Sequence, residues 1–84
     1  MLNQKQILQY AIKGITAEIE ELEKSVRKGS SLIEKIEKGE QVNTKATKYE
    51  ILEKVEAKIA KIEKLDKERF ELNWQIDVEM NDEN

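Results

Sequence analysis

The chain has 84 residues, enough for one small domain. Charged residues make up 39% of it and hydrophobic residues 38%, with no proline, cysteine or histidine and a net charge of −3. This excludes disulfide scaffolds and zinc–thiolate sites, removes the histidine that most nucleophile–base pairs need, and leaves no bulk attraction for nucleic acid or anionic membrane.

The first residues, Met1 to Lys5, show no charged segment followed by a continuous apolar core. No cleaved leader is therefore expected, and the cytoplasm is the expected compartment. Asn3 is a good N-cap for a first helix over about 3–38. From Leu8 the apolar positions step by 4 and 3 without a break, through Ile12, Ile15, Ile19, Leu22, Val26, Gly29, Ile33 and Ile36. A helix that repeats its apolar residues every 3.5 positions lays them along another helix. Gly29-Ser30-Ser31 could end this helix, with Ser31 and Glu34 capping a short separate one, so that the helices would be 3–28, 32–38 and 47–78. The apolar row keeps its phase through Gly29, which favours one continuous helix.

Gly39 is placed as a C-cap, with Lys35 and Lys38 at the negative end of the helix dipole. Residues 39–46 carry no period and read as the loop. Thr47 with Glu50 forms a capping box, and Ala46 with Ile51 a hydrophobic staple, at the start of a second helix over about 47–79. Acidic residues crowd its C-terminal end, so a frayed tail is expected over 80–84. Two helices of similar length, each about 45–55 Å long, joined by a short loop favour an antiparallel hairpin. Facing residues are expected to sum to 88, which sets Ile36 against Leu52, Gly29 against Ile59 and Leu8 against Met80. That register puts Asp66, Arg69 and Asn73 opposite Leu22, Ile19 and Ile15, so a local phase defect is expected in the second helix, near Leu65 and Leu72.

The fold class is thus all-α, one domain over residues 1–84: a coiled-coil-like antiparallel two-helix hairpin. One buried stripe supports little stability by itself. Apolar residues remain outside the row, most of them at the open end: Ile7, Tyr10, Phe70, Leu72 and Trp74. They are the candidate self-association surface of a homodimer or higher homo-oligomer, most simply a dimer forming a four-helix bundle. Charge supports side-by-side antiparallel pairing. Residues 24–67 carry a net +4, residues 1–23 a net −2 and residues 68–84 a net −5.

Glu18, Glu20, Glu21 and Glu23 are dense but flank the row, so they read as solvated surface. No glycine-rich phosphate loop or calcium loop occurs. No catalytic residue, cofactor or metal is expected, and the chain reads as a non-enzyme. An alternative function is nucleic-acid binding by Lys45, Lys48, Lys54, Lys58 and Lys61, a stripe that Glu53, Glu56 and Glu63 dilute. The open end could also dock on a helix of another protein, as in a co-chaperone or secretion partner. No membrane partner is expected, because the aromatic end is the acidic one. In shape alone the chain resembles the short helical hairpins exported as dimers by Gram-positive secretion systems, which carry a Trp-x-Gly turn. Here Lys38-Gly39-Glu40-Gln41 has no tryptophan, Trp74 lies far from the loop, and no function is carried over. The Lys/Glu/Ile/Asn bias points to an AT-rich genome, as in a low-GC bacterium or its phage.

Overall fold

The computed structural model describes residues 2–82, and the side chains of residues 2–78. Helix α1 spans Gln4–Glu37 and α2 spans Lys48–Asp82. They pack antiparallel as a hairpin whose Cα atoms extend 62 × 21 × 15 Å.

Local chemistry sets each helix end. Asn3 caps α1: its side chain accepts from the Gln6 backbone N–H at 2.8 Å, and the Gln6 side chain accepts from the Asn3 N–H at 3.1 Å. This reciprocal pair satisfies two donors that the first turn leaves free. At the other end Gly39 takes φ +78°, a conformation open to a residue without Cβ. The Glu40 N–H then donates to Lys35 C=O at 2.9 Å and the Gly39 N–H to Ile36 C=O at 3.0 Å. These are the two bonds of a Schellman motif, and they stop the helix where the chain must turn. Thr47 Oγ1 accepts from the Glu50 N–H at 3.2 Å and starts α2. Helix α2 continues to Asp82, past the expected end at 79. The rest of the tail expected over 80–84 lies outside the described residues.

Helix α1 is continuous through Gly29-Ser30-Ser31, so the three-helix alternative is not adopted. Its inward residues are those of the expected row, with Leu8 and Ile19 the most buried. Gly29 has a packing role: a Cβ placed there would lie 2.5 Å from Val55 Cγ2 and 3.7 Å from Ile51 Cγ2. The Val55 side chain fills the space that a side chain at position 29 would need.

This contact corrects the expected register. Gly29 faces Val55 and Ile51, and Ile59 stands 40% exposed where it was expected to fill the seam. The Ser25–Lys58 and Thr16–Arg69 hydrogen bonds agree, since facing residue numbers add to about 84, one helical turn from the expected 88. Extended along both helices, this register pairs Ile33 with Ile51, Leu22 with Ile62, Ile19 with Leu65, Ile12 with Leu72 and Leu8 with Ile76. The inward row of α2 is Ile51, Val55, Lys58, Ile62, Leu65, Arg69, Leu72 and Ile76, each buried or half-buried. Its steps alternate 4 and 3 throughout, so the expected phase defect is absent. Leu65 and Leu72 lie inside the row, and Asp66 and Asn73 are exposed beside it.

The two interior glycines of α1 should respond to substitution in opposite ways. Gly14 has nothing within 4 Å of an added Cβ, so Gly14→Ala should stabilise the hairpin by about 1 kcal/mol. Gly29→Ala carries the same propensity gain but drives a methyl into Val55, a side chain stiff about χ1. It should lower stability by about 1–3 kcal/mol. Urea titrations followed by circular dichroism measure both, and a stabilised Gly29→Ala variant would contradict the close approach.

Candidate interaction site

A two-helix ribbon has two broad faces, and here they differ in chemistry. On one, Ser25 Oγ accepts from Lys58 Nζ, and Lys61 Nζ pairs with Glu18 Oε1 at 3.2 Å. On the other, Arg69 Nη1 donates to Thr16 Oγ1 at 3.3 Å, Arg69 Nη2 pairs with Asp66 Oδ1 at 2.6 Å, and Lys48 Nζ pairs with Glu37 Oε1 at 2.9 Å. The Glu37 hydrogen bond, and then its charge, raise the Lys48 pKa above the ordinary 10.5. Exposed pairs of this kind contribute little stability, but they mark which flanks of the two helices share a face.

Lys58 and Arg69 occupy seam positions. Long side chains can lay their methylene stems along apolar neighbours and bring the charged group out to a flank. Lys58 reaches Ser25, and Arg69 reaches Thr16 and Asp66. A polar residue in such a seam specifies register at some expense of stability.

The face carrying the Lys58 and Lys61 contacts holds a shallow groove of about 240 Å³. Gly29, Leu32, Ile51 and Val55 line it together with Lys28, Lys54 and Lys58. Lys35 borders Lys28 and Leu32 on this flank as well, so the face is basic along the loop half. The opposite face presents Glu20, Glu23 and Glu34 from α1 and Glu56, Glu63 and Asp66 from α2. Carboxylates outnumber cations there: Glu34 and Asp66 are paired with Lys38 and Arg69, Lys64 and Lys67 border Glu63 and Asp66 at the outer edge, and Glu20, Glu23, Glu56 and Glu63 form no ion pair among the described residues. Along it runs an apolar strip on α2: Leu52 and Ile59 at 37% and 40% exposure, with Tyr49 and Phe70 more exposed beyond them. Sequence reasoning missed Leu52 and Ile59 as surface residues because it placed them in the seam.

The five residues expected at one open-end surface do not share a face. Leu72 is half-buried in the seam row. Phe70 and Trp74 lie one turn apart on the outer side of α2, at 72% and 62% exposure. Tyr10 is exposed on the outer side of α1, at the edge of a depression that Asn73 of α2 also lines. Its ring stands beside Lys13, whose Nζ is 5.8 Å from the ring centroid. Ile7 falls on the lysine-bearing flank, at the level of Val78. Tyr10 lines a shallow depression with Gln6, Gln9, Lys13 and Asn73, while Phe70 lines another with Glu63, Lys64 and Asp66.

Of the five lysines considered for nucleic acid, Lys48, Lys58 and Lys61 are engaged by Glu37, Ser25 and Glu18 of α1. Lys45 and Lys54 form no ion pair among the described residues. Among those residues no cluster of acidic side chains could hold a metal ion, and no helix is long and apolar enough to cross a membrane. No protein-family model, curated protein or solved structure matches the chain.

If the fit of Val55 against Gly29 holds the register, making Lys58 and Arg69 apolar should raise stability without changing the pairing. The Lys58→Leu/Arg69→Leu variant should be more stable by about 1–3 kcal/mol. In an otherwise unchanged chain, cysteines at positions 33 and 51 should cross-link, and cysteines at 33 and 55 should not. In the double-leucine background the same selectivity should persist, because the fit of Val55 against Gly29 is untouched. Cross-linking through the 33–55 pair in that background would show that Lys58 and Arg69, and not this fit, hold the register.

Proposed function

We propose that the chain is a non-enzymatic helical-hairpin interaction module that acts as a homo-oligomer, an adaptor, scaffold or assembly subunit. In its smallest assembly two hairpins lie broad face on broad face, forming a four-helix bundle. The observation that carries this reading is the apolar strip on α2. Apart from Ile7 and Leu32, helix α1 spends its large aliphatic residues on the seam, whereas α2 has Leu52, Ile59 and Phe70 left over on one flank, with Trp74 beside them. No described side chain is fully buried. An isolated hairpin of this size has a thin core, and a second layer of helices would double the contact available to each apolar side chain.

The strip supports self-association better than the open-end group of Ile7, Tyr10, Phe70, Leu72 and Trp74. Phe70 and Trp74 extend it, while Ile7 lies on the other flank, Tyr10 belongs to α1 and Leu72 is occupied by the seam. Phosphate binding by Lys45, Lys48, Lys54, Lys58 and Lys61 draws weaker support, since three of the five are engaged within the hairpin and Glu53 and Glu56 interrupt the stripe. Retention on nucleic acid at low salt is not expected.

Sedimentation equilibrium at tens of micromolar should show masses above the 9.8 kDa monomer. The Ile59→Ser/Phe70→Ser variant should shift the distribution to monomer while keeping its helical circular dichroism, because both side chains stand outside the seam. A wild-type chain that sediments as a single monomer across this range would remove the proposal.

A further inference from the structure

The opposed charge of the two broad faces decides how copies can meet, given the self-association proposed above. Each face has an apolar centre. The acidic face carries Leu52 and Ile59 beside Glu56 and Glu63. The basic face carries the groove over Gly29 and Leu32, rimmed by Lys28 and Lys54. A two-fold dimer joins a face to its own copy. Acidic on acidic would bring Glu56 and Glu63 against their equivalents and against Glu20 and Glu23. Basic on basic would do the same with Lys28, Lys35 and Lys54. Like charges brought together across an interface are disfavoured strongly enough to exclude a partner.

We infer that the occupant of the basic groove is the acidic face of a second copy, joined as unlike faces. The Leu52–Ile59 strip is the apolar ridge that covers Gly29 and Leu32. Glu56 and Glu63 lie against Lys28 and Lys54 at the rim. The contact is heterologous: a pair of hairpins still exposes one face of each sign, so association continues past the dimer into a stack. Gly29 then has two roles. Its missing side chain lets α2 approach within the hairpin, and the same absence deepens the groove for the next copy. Salt weakens such assembly by screening the rim charges.

Charge reversal on one face at a time tests this. Lys28→Glu/Lys54→Glu makes both faces acidic, and Glu56→Lys/Glu63→Lys brings positive charge to the acidic one. All four side chains are exposed and none takes part in an ion pair among the described residues, so both variants should keep the wild-type helical signal. In sedimentation velocity and light scattering the wild type should pass beyond the dimer as concentration rises. Each variant alone should associate at least about a hundredfold more weakly. An equimolar mixture should regain assembly, because each variant supplies the charge the other lacks.

Either variant assembling alone as the wild type does, a wild type that stops at a dimer, or a mixture that stays monomeric would overturn the unlike-face contact. The first two of these outcomes leave self-association itself intact. A monomeric wild type would instead remove the self-association on which the contact rests.

Discussion

The close approach of Gly29 to Val55 governs the rest of this structure. Two helices can interlock their apolar rows only at registers one helical turn apart, and each register turns a different flank of α2 inward. At Gly29 the absent side chain makes room for a β-branched one, with Val55 Cγ2 where a Cβ would otherwise stand. That fit selects the register in which Ile51, Leu65 and Leu72 enter the seam. The same choice turns Lys58 inward and leaves Leu52 and Ile59 outside.

Once the register is set, the surface follows. The flanks of two antiparallel helices meet in pairs, so each broad face of the ribbon combines one flank from each chain segment. One combination gathers lysines around a groove; the other gathers carboxylates around an apolar strip. Neither pattern belongs to a single helix. The polar contacts to Ser25, Thr16, Glu18 and Glu37 bridge the helices along these flanks. They add modestly to stability and more to orientation, since each costs something to break in a slipped register. A ribbon with oppositely charged faces and little enclosed core is suited to contact with other helices, which is the basis of the proposed function.

Helix α1 was legible residue by residue: its cap at Asn3, its apolar row, its continuity through Gly29 and its stop at Gly39. The row contains no competing alternative, so periodicity alone identifies the inward face. Helix α2 was not legible in the same way. Val55, Ile62, Arg69 and Ile76 can be combined with Leu52, Ile59, Asp66 and Asn73, or with Ile51, Lys58, Leu65 and Leu72. The first combination has the better residues near the loop and the second near the open end. The discriminating signal lay in side-chain length. Lysine and arginine can occupy a seam and still carry their charge to water, whereas aspartate and asparagine are too short to do so.

The amino-acid sequence by itself determined two long amphipathic helices, where each begins, where the first must turn back, and that the result is an antiparallel hairpin. These are consequences of local backbone chemistry and of a 3.5-residue period, and both act within one stretch of chain. The tertiary structure alone decided which of two overlapping rows of α2 is buried, and with it which apolar and charged residues share each exposed face. That choice depends on steric fit between residues such as Gly29 and Val55 that are far apart in the chain, and periodicity within either helix carries no record of it.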